Sequence, residues 1–255
     1  MKIVVCVKQV PDTTAVKIDP ETKSLIRESA GAVVNLFDYH AAEAALQLRE
    51  QTGGEVIVLS MGPASAESTL REMLAFGADR AILLNDRRFA GSDTWATSYT
   101  LACAIRKIGD VDLVLCGRQA VDGDTAQVGP ELAAQLGLPQ VINVAKLSHN
   151  GDTLLARRML DNGYDRCLVK LPAVASVVRE INEPRVPTLQ GYLRAVSANL
   201  TIWTADDLGA QVNRIGLKGS PTRVVHAVPQ ALRTKATRRL DLSQLDELLE
   251  ELHYA

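Results

Sequence analysis

Short runs of consecutive apolar residues alternate with longer amphipathic stretches through the first 140 positions of the chain. The runs at 3–7 (IVVCV), 56–61 (VIVLSM), 81–84 (AILL) and 112–117 (DLVLCG) are rich in aliphatic and β-branched residues and bounded by turn formers. That pattern predicts strands buried on both faces. Between them, residues 38–50, 65–77 and 93–109 carry apolar side chains at helical spacing. Asp38, Ser65 and Asp93 stand where N-caps belong, Gly77 reads as a C′ glycine, and Arg106, Lys107 and Gly109 close the third helix. Strand–helix alternation at this interval predicts right-handed βαβ units, hence an α/β fold of three layers with a mainly parallel sheet.

After Pro139 the rhythm changes. An Asn-Gly pair at 150–151 between strand-like arms signals a hairpin, and 167–180 reads as two further strands separated by Pro172. From 182 onward prolines and an Arg/Lys stretch at 233–239 predict an extended arm. Residues 240–253 place Leu242, Leu245, Leu248, Leu249 and Leu252 at helical spacing, a stripe that needs a surface to cover it, preferably a partner's. The expected organisation is an α/β domain at 1–181 and a partner-contacting arm and helix at 182–255.

Composition narrows the function classes. At 255 residues and 47% hydrophobic, the chain has material for a large core. A net charge of −2 supplies no field for nucleic acid or anionic membrane, and 4% aromatics supply no stacking platform. No apolar run approaches the ~18 residues of a membrane span, and no signal-peptide pattern precedes the first strand. The four cysteines, Cys6, Cys103, Cys116 and Cys167, are scattered without a C-x-x-C. Cys6 and Cys116, inside strand runs, read as small buried hydrophobes. The expectation is a soluble, cytoplasmic protein with reduced thiols and no metal: the four histidines are dispersed, and His40 reads as a helix-surface residue.

The chemistry-bearing stretch is CGRQAVDGDTAQVGPELAAQLGLPQ at 116–140, a Gly/Asp-rich corner between a strand and a helix start. At the end of a parallel strand, a helix N-terminus offers free N–H groups and a positive dipole end to an anion. The amides of Gln127, Val128 and Gly129 would be first-turn donors, Gly129 would permit close approach, and Gly123 would permit a positive φ. Asp122 and Asp124 repel a bare phosphate and suit ribose hydroxyls or capping better. On these residues alone, a decorated helix cap and a phosphate site stand level. G-x-G-x-x-G, the P-loop pattern, H-E-x-x-H and the Ser-Gly-Gly-x-Asp-Ser loop of ATP pyrophosphatases are all missing.

Several ordered segments together resemble the β subunit of electron transfer flavoproteins over nearly the whole chain. They are IVVCVKQVPDT (3–13), VNLFDYHAAEAALQL (34–48, with Leu36 where proline is usual), 58–84, 112–139 and GSPTRV (219–224). The resemblance implies a Rossmann-like, adenine-nucleotide-binding sheet with a C-terminal arm. It implies an electron carrier, not an enzyme with bond chemistry of its own, paired with a homologous α subunit that holds a redox-active FAD. In that family the β subunit buries AMP or, in the electron-bifurcating branch, a second FAD.

By motif position the resemblance puts Cys6 and Lys8 beside the adenosine, with Asn35 and Met61 lining it. Asp122, Gly123, Asp124, Thr125, Ala126, Gln127, Val128 and Gly129 would wrap ribose and phosphate. The bland readings are a loop cap for Asn35 and core packing for Met61. VKQVPDT and FAGSDTWATS (89–98) resemble the bifurcating branch, where Thr94 and Thr97 would meet the flavin ring; a helix-start cluster is the competing reading. FAD is therefore favoured over AMP. Leu189 matches the family's docking leucine for a partner dehydrogenase of the acyl-CoA type. The lysine-rich run usual after it is replaced by QGYLRAVSANL. The rival reading is a stand-alone adenine-nucleotide-binding module of the stress-protein type, which would leave the arm and leucine stripe uncovered.

Overall fold

The computed structural model describes residues 1–12, 17–18, 25–26, 31–223, 241 and 244–253. They belong to two compact units, Met1–Arg223 and Val224–Ala255. The first is built on a nine-stranded sheet of β1 (Lys2–Cys6), β2 (Glu55–Met61), β3 (Arg80–Leu84), β4 (Leu113–Gly117), β5 (Gln140–Asn150), β6 (Thr153–Leu160), β7 (Gly163–Lys170), β8 (Ala173–Val177) and β9 (Thr201–Trp203). The spatial order is β7-β6-β5-β8-β4-β1-β2-β3-β9. All pairings from β5 through β9 in that order are parallel, while β5–β6 and β6–β7 are antiparallel. The helices are α1 (Leu36–Thr52), α2 (Glu67–Phe76), α3 (Thr94–Ile108), α4 (Val128–Leu136), α5 (Leu189–Ser197), the short α6 (Gly216–Gly219) and, in the second unit, α7 (Leu245–His253).

Strand alternation sorts the core into two layers. Ile3, Val5, Val56, Val58, Leu83, Leu113 and Leu115 pack with α1 and α2, whereas Val4, Cys6, Ile57, Leu59, Ile82, Val114 and Cys116 pack with α3 and α4. Both faces being covered explains why these strands read as unbroken apolar runs. The predicted hairpin forms, with Asn150 ending β5 and Gly151 at φ 65° in the turn. Strand β5 is shared: its first half pairs in parallel with β8 and its second half antiparallel with β6. The change falls beside Asn143, at φ 55°.

The expected domain boundary at 181 lies inside the first unit, which runs on to Arg223. Many contacts tie 182–223 to it, beginning at Asn182. Asn182 bonds His40, through Nδ1 (3.1 Å) and through the His40 carbonyl (2.9 Å), so His40 is buried and not a surface residue. Arg185 forks onto the buried Glu43 (2.7 and 3.0 Å) and reaches Glu50 (2.7 Å). Thr201–Trp203 then adds β9 beside β3. A three-residue strand and a single turn of extended chain leave no periodic signature, which is why the sequence reads as an arm.

Helix α5 replaces the loop expected around Leu189. Thr188 caps it, accepting from the Gly191 amide (3.0 Å). Its inner face is Gly191 and Ala195 against α2, and the two helices exchange terminal caps: Arg71 donates to the Ala195 carbonyl (2.7 Å) and Arg194 to that of Leu74 (3.1 Å). The apolar stripe points outward, with Leu189, Leu193 and Val196 exposed at 76%, 64% and 77%. In α7, Leu245 and Leu249 are half-exposed; Leu242 and the 233–239 stretch lie outside the described residues. Among the described residues no helix is long and apolar enough to cross a membrane.

A Cβ on Gly191 would sit 2.3 Å from the Ala75 carbonyl oxygen, so α2 and α5 meet backbone to backbone there. Gly191→Ala should therefore destabilise by about 2 kcal/mol and raise amide exchange in 189–197 before the rest of the sheet. Urea melts and hydrogen exchange check this; an unchanged melt would show that α5 does not depend on that contact.

Candidate functional site

Strand β1 sits in mid-sheet. The chain runs from it outward through β2 and β3, then crosses back to β4 on the other side of β1. Such a reversal opens a crevice beyond the carboxyl ends of the two strands, the place where open α/β sheets bind ligands. Here those ends carry Cys6 and Cys116, register partners facing the α3/α4 layer. The Cys116 thiol beside it, and then burial, push the Cys6 thiol well up, so it stays neutral.

One buried pair organises the crevice. Helix α1 begins at Leu36, not Asp38, and Asn35 at the N-cap position makes no side-chain cap. Asp38 is therefore not the expected cap. It lies in the first turn, buried, and accepts from the Lys8 amide (2.7 Å), from Asn35 Nδ2 (2.9 Å) and from the Gly117 amide. Asn35 in turn donates to the Gln119 carbonyl (2.9 Å) and accepts from the Val121 amide (3.1 Å). Together the two side chains join the ends of β1 and β4 to the loop that follows β4. Burial pushes the Asp38 carboxyl up to about 7, against the pull of its Asn35, Lys8 and Gly117 donors. A Cβ on Gly117 would meet Asp38 Oδ1 at 2.4 Å, so only glycine fits there.

The loop closes on itself. Lys8 Nζ holds both oxygens of Asp122 (2.8 Å each), Gln119 donates to Asp124, and the Asp124 amide returns to the Ala120 carbonyl (2.8 Å). The positive φ angles fall at Asp124 (52°) and Ala126 (55°), not at Gly123 as the composition suggested. Asp tolerates that conformation because its side chain bonds locally; Gly123, with open space around it, marks the exposed tip.

Beyond the loop, α4 starts at Val128. The amides of Gln127, Val128 and Gly129 have no hydrogen-bond partner among the described residues, as the first N–H groups of a helix lack one by geometry. Gly129 is buried, and a Cβ there would touch Ser176 (3.5 Å) and Cys116 (3.9 Å). Those are ordinary contact distances, so the packing of α4 on β4 and β8 does not require glycine at this position. Thr125 is exposed just before the helix. Met61 ends β2, half-buried against the α3/α4 layer.

Thr94 and Thr97 stand on the first turn of α3, which Asp93 caps through the Ala96 amide (3.0 Å) as expected. The Thr94 hydroxyl donates to Glu131 of α4 (3.0 Å), whose other oxygen is buried without a partner among the described residues; burial raises this carboxyl as well. The sequence reading missed Glu131, Ser176 and the true role of Asp38. The legible signal for Asp38 was its spacing, three residues after an asparagine at a helix start.

What converges at the crevice is one set of free backbone donors, a lysine-neutralised aspartate, a second carboxylate and apolar walls. That set fits a phosphate with an attached ribose. Among the described residues no three His, Cys, Asp or Glu side chains are placed to hold a metal ion.

The Asp38 carboxyl makes a checkable statement. A folded-state value near 7, above the unfolded 3.8, means the folded chain keeps a proton that the unfolded chain has lost. Its contribution is thus fully present below pH ~4 and fades as pH rises through ~7. Asp38→Asn removes that dependence. Between pH 5 and 8 the stability of the unaltered protein relative to the variant should fall by about 2–3 kcal/mol, read from urea melts. A difference that is flat or grows with pH would contradict the burial argument.

The model of the electron transfer flavoprotein domain matches residues 22–208. The chain is 52% identical over 226 residues to the "Electron transfer flavoprotein subunit beta" of Thermoanaerobacterium thermosaccharolyticum, covering 88% of this chain and 86% of the relative. It is 48% identical over 225 residues to the "Caffeyl-CoA reductase-Etf complex subunit CarD" of Acetobacterium woodii, with the same coverage. With "Protein FixA" of Azorhizobium caulinodans it shares 44% over 263 residues, 99% of this chain and 94% of that one. The chain belongs to the electron transfer flavoprotein family, on its β-subunit side.

Proposed function

We propose that the crevice at the ends of β1 and β4 holds the adenosine and phosphate end of a second FAD, in preference to AMP. The observation that carries this is the row of amides at 127–129 without partners among the described residues, set at a helix N-terminus beyond the strand-order reversal. These amides would hold phosphate through backbone donors and the dipole of α4. Lys8 offsets the charge of Asp122 that would otherwise repel it, leaving Asp122 and Asp124 as acceptors for ribose hydroxyls. Asn35 acts one step back, holding the loop, while Cys6 and Met61 supply apolar wall. Thr94 and Thr97 would face the ring end.

A bound flavin supplies reversible electron uptake; the chain binds it, orients it and keeps water from it. The protein then works as half of a heterodimer with an electron transfer flavoprotein α subunit, bifurcating electrons without catalysing bond chemistry of its own. Relatives named as subunits of caffeyl-CoA and acryloyl-CoA reductase systems support a partner dehydrogenase of the acyl-CoA type. A stand-alone nucleotide module is disfavoured by the outward apolar stripe of α5. Cytoplasmic location fits the free cysteines among the described residues.

Two measurements test this reading. Nucleotide released from the denatured heterodimer, separated by chromatography, should be two FAD per dimer. One FAD with one AMP would contradict the bifurcating assignment and leave the site intact. For docking, Leu189 begins the exposed stripe, and its truncation to alanine removes three carbons, roughly 2 kcal/mol at ~0.8 per methylene. Leu189→Ala should cut electron delivery to the purified dehydrogenase more than tenfold below saturation, with flavin content unchanged. Transfer indifferent to the substitution would mean that α5 does not dock the partner.

A further inference from the structure

The loop at 90–93, which leads into α3, is hydrogen-bonded at each of its four residues to the segment at 216–222. Leu217 donates its amide to the Ala90 carbonyl (3.1 Å), and Gly216 donates to Ser92 Oγ (3.1 Å). The Asp93 amide donates to Ser220 Oγ (2.8 Å), whose hydroxyl faces the carbonyls of Gly91 (3.2 Å) and Gly216 (2.8 Å). A Cβ on Gly216, at φ 58°, would lie 2.0 Å from the Arg88 carbonyl oxygen, so the two backbones touch. The two segments are thus in backbone contact as well as hydrogen-bonded.

Asp93 is the hinge of this arrangement. One carboxylate oxygen caps α3 through the Ala96 amide (3.0 Å), and the other accepts both the amide (2.9 Å) and the hydroxyl (2.8 Å) of Thr222. Thr222 stands one residue before the end of the first unit at Arg223. The cap that fixes the first turn of α3 is thus shared with the root of the C-terminal segment. That turn carries Thr94 and Thr97, and Thr94 continues the chain of contacts to Glu131 on α4.

We propose that Thr222 and Ser220 are positioning residues for the ring end of the bound dinucleotide, acting through Asp93 on the turn that carries Thr94 and Thr97. This rests on the reading of those threonines as the ring-side pair. Loosening the shared cap lets the α3 turn and the 90–93 loop drift from the crevice, while the amides of α4 and the Asn35–Asp38 pair stay as they are. The ring end loses its wall, and the phosphate end keeps its cradle.

The test uses the intact heterodimer stripped of nucleotide and titrated with FAD, ADP and AMP by calorimetry. Thr222→Val, alone and with Ser220→Ala, should weaken FAD about tenfold or more and leave ADP and AMP within twofold. Thr222→Ser, which keeps the hydroxyl, should restore FAD affinity. A purely structural lesion would weaken all three ligands together and would overturn the proposal, as would FAD affinity equal to the unaltered protein's. The underlying reading fails separately: the unaltered heterodimer would then bind FAD at this site no tighter than ADP. If the valine variants do not assemble, hydrogen exchange of the unaltered heterodimer decides. FAD should protect the amides of 90–97 and 216–222 together beyond what AMP protects, and protection of one stretch without the other would refute the coupling.

Discussion

A buried carboxylate sets the geometry on which the site depends. Asp38 lies where two parallel strands end, and three N–H donors converge on it from different elements: Lys8 after β1, Asn35 before α1 and Gly117 at the end of β4. Strand ends otherwise leave such donors to water. A buried carboxylate can accept all of them at once, and the cost of burying it appears as its upward-shifted titration. Asn35 extends the network into the next loop with a donor and an acceptor, leaving little of its side chain uncommitted. The loop from 118 to 127 is thereby hung from the body of the fold and not from the ligand it would hold.

This hub explains which glycines matter. Gly117 must be glycine because the Asp38 oxygen and the Phe37 backbone occupy the space of a side chain. Gly191 must be glycine because the Ala75 carbonyl oxygen occupies the space of a Cβ, so α5 meets α2 backbone to backbone. In both cases the absent Cβ sets the distance between two elements, and α5 then presents an apolar stripe.

The parallel strands other than β9, the hairpin and helices α1, α2, α3 and α7 were legible in the sequence, because buried faces write themselves as apolar runs and stripes. The crevice was legible as a corner, through Asp122, Gly123 and the helix start at Gln127. What stayed hidden has a common cause. Asp38 looked like a cap and Gly123 like the residue with a positive φ, since local rules assign each residue to its neighbours in sequence. The partners of Asp38, Lys8 and Gly117, come instead from the ends of two separate strands. The region after 182 was misread as an arm because its strand has three residues and its helix turns its apolar side outward, contrary to the pattern of a core element. Lys8 was named on resemblance alone; the fold pairs it with Asp122.

The decisive question is where the phosphate sits. A crystal structure of the heterodimer with its nucleotide bound tests this directly. Phosphate oxygens within hydrogen-bond distance of the amides of Gln127, Val128 and Gly129, with the Asn35 bonds to Gln119 and Val121 intact, is the predicted result. A nucleotide bound elsewhere on the subunit, or a 118–124 loop rebuilt around it with those bonds broken, would contradict the claim that Asp38 and Asn35 preform the site.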